Sequence, residues 1–130
     1  DCLNISLDDL KSVMDRNLLG SILCCREVAP EMIARNSGRI ITIGSIAGCS
    51  GRTFGAIYSV AKAALHEYTR CLADQLRKHN IPVNCVAPGM IDTPISPRVT
   101  LPVRSCGSSS RTVLMNRSSV FSVAGLRPAL

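Results

Sequence analysis

The sequence predicts an α/β chain that holds part of a doubly wound parallel sheet, followed by an irregular C-terminal tail. Three observations point there. Residues 39–43 and 81–87 are short apolar runs, and each follows a long stretch of helical periodicity. Continuous apolar runs are typical of strands in a parallel sheet, where helices cover both faces. Beyond residue 97 neither a period of two nor one of 3.6 is sustained.

In chain order, Ser6-Leu7-Asp8-Asp9 has the form of a capping box with Asp in place of Glu. It opens a long amphipathic helix with apolar positions at Leu7, Leu10, Val13, Met14, Leu18, Ile22 and Leu23. Asp8, Asp9 and Asp15 load its first half with negative charge, which suits a helix N-terminus. Asn17 is a mediocre helix former, and read alone it is an exposed polar residue. Pro30 is expected to kink or break the helix and Asn36-Ser37-Gly38 to end it.

Residues 39–43 form the first strand, and Gly44, Gly48, Gly51 and Gly55 follow it. Neither a G-x-G-x-x-G fingerprint nor a Gly-Lys-Ser/Thr phosphate loop is present, so these glycines read as close backbone approach in a substrate-side loop. A second helix spans about 55–79, with small residues in its middle and Arg77-Lys78-His79 suiting its C-terminal end. His66 and His79 are expected at the surface, because neither has a carboxylate or Cys at catalytic or ligand spacing. The second strand, 81–87, is ended by Pro88-Gly89. Ligands of open α/β sheets gather at the carboxyl ends of strands, which places Ser45 and the 88–93 loop on the functional edge.

Composition bounds the function classes. The chain has 130 residues, 46% of them hydrophobic and 3% aromatic, so the expected core is aliphatic and a wholly disordered chain is excluded. The net charge of +6 is uneven. Residues 1–97 carry ten Lys/Arg against nine Asp/Glu, whereas residues 98–130 carry five Arg and no carboxylate. Scattered arginines without Lys clusters or interleaved aromatics do not make a nucleic-acid surface. The seven Cys show neither C-x-x-C nor mixed Cys/His ligand spacing, so reduced thiols and no metal site are expected. No apolar run is long enough to span a bilayer and no secretory signal is seen, so a cytoplasmic location without membrane contact is expected. The first residue is Asp1 rather than Met, which reads as a piece of a longer protein.

The chemistry is concentrated between Ser45 and Lys62. If Tyr58 lies on a helix, Lys62 lies one turn later on the same face. Alone, such a pair is commonly two residues on a solvated surface. An ammonium about 4 Å from a phenol, at an effective dielectric near 20, is worth ~4 kcal/mol to the phenolate. The phenol then becomes a usable acid or base near neutral pH. A Ser45 hydroxyl at the end of the strand would hydrogen-bond a substrate oxygen as charge develops there.

Order and spacing raise this above chance. Gly44-Ser45-Ile46-Ala47-Gly48, then Tyr58-Ser59-Val60-Ala61-Lys62, then Val83-Asn84-Cys85-Val86-Ala87-Pro88-Gly89-Met90-Ile91-Asp92-Thr93 together resemble the short-chain dehydrogenase/reductase family. The resemblance covers residues 1 to about 97 and implies the second half of a Rossmann-like core. It implies hydride transfer between NAD or NADP and a carbonyl or alcohol substrate. The implied catalytic group is Asn17, Ser45, Tyr58 and Lys62. In it Tyr58 exchanges the hydroxyl proton, Lys62 tunes Tyr58 and holds the nicotinamide ribose, and Ser45 orients the substrate oxygen. The Asn17 backbone carbonyl, at a kink in its helix, holds a water of the proton relay. Tyr58, Lys62, Pro88, Gly89, Ile91 and Thr93 are the implied cofactor contacts, and the two long helices imply a homo-oligomer. The 38–45 run is similar to that of 3-oxoacyl carrier-protein reductases.

The family's Gly-rich cofactor loop and the residue that selects NAD or NADP have no counterpart in these residues. Two strands and two helices make a marginal core with strand faces left open. Two functions therefore stand: a piece of a working reductase, or a non-catalytic chain that pairs its exposed helices with a full-length relative.

Overall fold

Ser6 starts the first helix as its sequence predicts. Its hydroxyl accepts the Asp9 N–H at 3.1 Å and donates to the Asp9 carboxylate at 2.7 Å, which ties up one of the orphan donors of the first turn. The computed structural model describes residues 2–51, 54–89, 113–116 and 119–120. Helix α1 (Leu7–Met14) runs through a π-helical turn (Asp15–Leu19) into α2 (Gly20–Ala34). Asn17 lies inside that turn and is partly buried, its amide donating to the Val13 carbonyl at 3.0 Å. A side chain that takes the i−4 carbonyl competes with the helix ladder, and a π-turn shifts the backbone donor one carbonyl further back. The irregularity expected at Asn17 thus takes the form of a π-turn.

Of the kink or break expected at Pro30, the break does not occur: α2 continues through it to Ala34. Pro30 and Arg26 are both exposed, so water can take the Arg26 carbonyl that the proline leaves without a donor. The end is as predicted. Asn36 adopts φ 51°, with Ser37 N–H donating to Met32 O at 3.1 Å and Asn36 N–H to Ile33 O at 3.0 Å, the two bonds of a Schellman cap.

Strand β1 (Ile40–Ile43) pairs in parallel with β2 (Val83–Pro88), Ile40 opposite Val83 and Ile43 opposite Val86. Burial alternates along β1, leaving Ile41 and Ile43 55% and 56% exposed. An apolar run built to be covered on both faces is thus covered on one among the described residues.

Helix α3 (Ala56–Leu76) follows, continued by a 3-10 turn (Arg77–His79) and closed by Asn80 at φ 56°. It buries Ala61, Leu65, Thr69, Leu72 and Leu76, a stripe at three- and four-residue spacing. Leu72 and Leu76 pack with Cys25, Ile40, Ile81 and Val83, so the core lies between α2, α3 and one sheet face. Each such aliphatic side chain contributes about 1.5–3 kcal/mol. Inside it Thr69 donates to Leu65 O at 2.7 Å and sits 2.7 Å from the Thr42 hydroxyl, which joins helix to strand.

The segment expected to be irregular contributes two short strands. Strand β3 (Val113–Asn116) lies parallel to β2, and β4 (Ser119–Val120) runs antiparallel to β3, giving the order β1-β2-β3-β4. Val113-Leu114-Met115 is an apolar run of three residues between Ser-rich stretches, too short for periodicity alone to mark it as a strand. The sheet edge beside β2 supplies the partner that it needs.

Candidate active site

The carboxyl ends of β1 and β2 lie side by side, since the Gly44 N–H donates to Val86 O at 2.7 Å. Beyond β1 the chain turns at Ser45 into a short 3-10 helix (Ile46–Gly48). Ser45 caps it, its hydroxyl accepting the Ala47 N–H at 3.1 Å. That bond uses a lone pair and leaves the hydroxyl proton to be donated to another oxygen.

The 3-10 turn rests on α3. A Cβ placed on Gly48 would lie 2.7 Å from Ala63 N and 2.7 Å from Lys62 C, so only glycine allows the two backbones this close. Gly44 is enclosed in the same way by His66 and Cys85. Of the four glycines expected to allow close approach, Gly44 and Gly48 do so, against His66, Cys85 and the α3 backbone, whereas Gly51 and Gly55 have no described neighbour within 4 Å of an added Cβ. Gly55 serves differently: it enters α3 at φ 71°, a left-handed conformation.

Tyr58 and Lys62 occupy one face of α3, with the ammonium 5.7 Å from the centre of the phenol ring. Lys62 Nζ also donates to Ile43 O at 3.0 Å, which anchors it at the carboxyl end of β1, two residues before Ser45. An ammonium has three N–H donors, so this bond leaves others that can turn toward a ligand. Tyr58 is 39% exposed, which suits a group that must meet a substrate. Asn17 enters through the π-turn, which packs against α3. Pro88 and Gly89 stand at the end of β2. Ile91 and Thr93 lie outside the described residues.

His66 corrects the sequence reading. Expected at the surface, it is 6% exposed, and its Nε2 accepts the Ser45 N–H at 3.3 Å. Burial, then the nearby Arg70 and Lys62 cations, hold the imidazole below its usual protonation range. His79 is partly buried. A signal for His66 was available: it follows Lys62 by four residues, beside Leu65 in the apolar stripe, and faces two glycines that make room for a ring. Among the described residues no cluster of His, Cys, Asp or Glu could hold a metal ion, and no helix is long and apolar enough to cross a membrane.

A family model for short chain dehydrogenases matches residues 1–102. Carbonyl reductase family member 4 of Danio rerio is 43% identical over 86 residues, which cover 66% of this chain and 36% of that protein. The 3-oxoacyl-[acyl-carrier-protein] reductase of Synechocystis is 43% identical over 91 residues, covering 70% and 37% respectively. Among solved structures, acetoin dehydrogenase from Enterobacter cloacae superimposes with a TM-score of 0.68 at 35% identity, over 72% of this chain and 37% of that one. A Beutenbergia cavernae protein described as a "putative NAD(P) dependent gluconate 5-dehydrogenase", solved with NADP bound at low occupancy, gives 0.66 at 33% identity, over 68% and 35%. The chain thus spans little more than a third of the length of these relatives. With the family model covering the first 102 residues, and with Ser45, Tyr58 and Lys62 set around the end of a parallel strand, the chain belongs to the short chain dehydrogenase family.

Proposed function

We propose that this chain carries the proton-exchanging half of an NAD(P)-dependent oxidoreductase acting on a carbonyl or alcohol carbon. The observation that supports it most is Lys62, whose Nζ lies 5.7 Å from the Tyr58 ring centre and 3.0 Å from the carbonyl at the end of β1. In this reading Tyr58 gives its phenolic proton to the substrate oxygen during reduction and takes it back during oxidation. The Lys62 cation stabilises the phenolate left behind, and the Ser45 hydroxyl donates to the same substrate oxygen as it gains charge. Asn17, on the π-turn against α3, supports the return of the proton to Lys62.

The donor set suits a nicotinamide nucleoside. An ammonium with donors to spare can hold ribose hydroxyls, and Pro88 and Gly89 offer a close edge for a flat ring; Ile91 and Thr93 complete the proposed contacts. Such a cofactor, NAD or NADP, would supply or accept the hydride. The bound NADP of the Beutenbergia cavernae relative and the names of the Danio rerio and Synechocystis relatives support a nicotinamide and a small carbonyl substrate, with 3-oxoacyl thioesters the class to try first. A cytoplasmic location and assembly into a homo-oligomer through α2 and α3 belong to the same proposal.

The test is absorbance at 340 nm with a panel of ketones, NADH or NADPH, and a Tyr58→Phe variant. Turnover that falls by about 10²–10⁴ in the variant supports the reading, and turnover that persists in it sinks the role of Tyr58. A second reading is favoured by exposed Leu23, Val28 and Val60 on α2 and α3: a non-catalytic chain that pairs with a full-length relative. Stoichiometric co-purification with such a relative, without turnover, would support that one instead.

A further inference from the structure

The proposed site leaves His66 without a part, although it is the only buried imidazole among the described residues and touches the segment that bears Ser45. Its ring reaches both ends of the 3-10 turn. Nε2 lies 3.3 Å from the N–H of Ser45, which caps the turn, and Nδ1 lies 3.9 Å from Sγ of Cys49, which closes it. A backbone N–H can only donate, so Nε2 must be the bare nitrogen, and the single proton of a neutral imidazole then sits on Nδ1, facing the sulfur. The fit leaves no slack. A Cβ on Gly48 would come within 2.9 Å of His66 Cε1, and one on Gly44 would overlap Nε2.

We propose that His66 is a positioning residue of this site: as a neutral imidazole protonated on Nδ1, it grips the Ser45 backbone through Nε2 and so sets where the Ser45 hydroxyl is presented. The inference rests on the reading that Ser45 orients the reacting oxygen. The transmission is short. The Ser45 hydroxyl is oriented by its bond to Ala47 N–H, the backbone of that turn is held by His66, and His66 stands on the helix that carries Tyr58 and Lys62. One rigid element therefore places the phenol, the ammonium and, through the imidazole, the hydroxyl.

The grip exists only while Nε2 is bare. Among the described residues, the titratable groups around the ring are Lys62 and Arg70 on α3, Cys49 on the turn, and Cys85 on β2, whose sulfur lies against Gly44. Burial disfavours a positive charge on the ring, as do the Arg70 and Lys62 cations, so the grip holds at neutral pH and is released only in acid.

The whole chain is examined by ¹⁵N NMR of its imidazoles and of the Ser45 amide. At neutral pH the expected result is a bare Nε2, a protonated Nδ1, and one acid titration shared by the ring and the Ser45 amide. His66→Leu should speed Ser45 amide exchange about fivefold, the loss of one net hydrogen bond, while His66→Asn, whose amide oxygen can accept the same N–H, should restore most of the protection. A merely space-filling His66 would predict the reverse ranking. A proton on Nε2, or Ser45 exchange unchanged in folded His66→Leu, overturns the proposal. Should that variant not fold, the tautomer and the shared titration of the unaltered chain decide it. Ser45→Ala keeps the N–H and must keep the coupling, so the grip is tested apart from any catalytic part of Ser45.

Discussion

Replacing Gly48 with Ala tests the contact that joins the Ser45 segment to the helix of Tyr58 and Lys62. The new methyl would lie 2.7 Å from two backbone atoms of α3, Ala63 N and Lys62 C. Carbon contacts relax at about 3.5–4.0 Å, so the turn must lift by roughly an ångström, and neither neighbour is a side chain that can rotate away. Overpacking of this kind costs about 1–3 kcal/mol. With a urea slope near the lower limit for small proteins, about 1 kcal/mol per molar, the unfolding midpoint should fall by about 1–3 M. Gly51→Ala is the control, because no atom of the described residues lies within 4 Å of its added Cβ and its φ is not positive. It should stay within about 0.5 kcal/mol of the unaltered chain. Urea curves followed by far-UV circular dichroism read both. Equal midpoints for Gly48→Ala and Gly51→Ala would refute the claim that the turn and helix meet backbone to backbone.

Other outcomes follow from single groups. Gly55→Ala meets no atom, yet it places an L residue at φ 71°, so it should lose about 1–2 kcal/mol in the same assay through backbone strain alone. Thr69→Val deletes the buried hydroxyl that bonds Leu65 O and leaves Thr42 with only a 3.5 Å contact to Asn84 O. It should cost about 1–3 kcal/mol, and the Thr42→Val, Thr69→Val double variant should cost less than the two singles together. His66 is held below its ordinary value of 6.5, so the unfolded chain binds the proton first as pH falls. Its share of stability should be undiminished above about pH 6.5, decline below that, and level off once the folded state is protonated too. The pH dependence of the urea midpoint, taken as the difference from His66→Asn, measures it.

Some of this protein is readable from residue order, because it depends on neighbours in sequence. The Ser6 cap, the left-handed stop near Asn36, and the shared face of Tyr58 and Lys62 follow from helix geometry over three or four residues. The strand–serine–helix order likewise placed Ser45 at a strand's carboxyl end. Tertiary packing decided the rest. His66 stands beside Leu65 in the apolar stripe of α3, but its burial depends on a turn some twenty residues earlier that is bare enough to admit a ring. Helix α2 survives Pro30 because the abandoned carbonyl belongs to an exposed residue. Residues 113–116 become a strand because the edge of β2 offers hydrogen bonds that their own sequence does not advertise. Spacing names the side chains that can share a helix face, while only the folded chain settles which backbone they lean on, since contacts between distant segments arise from shape and desolvation rather than from local preference.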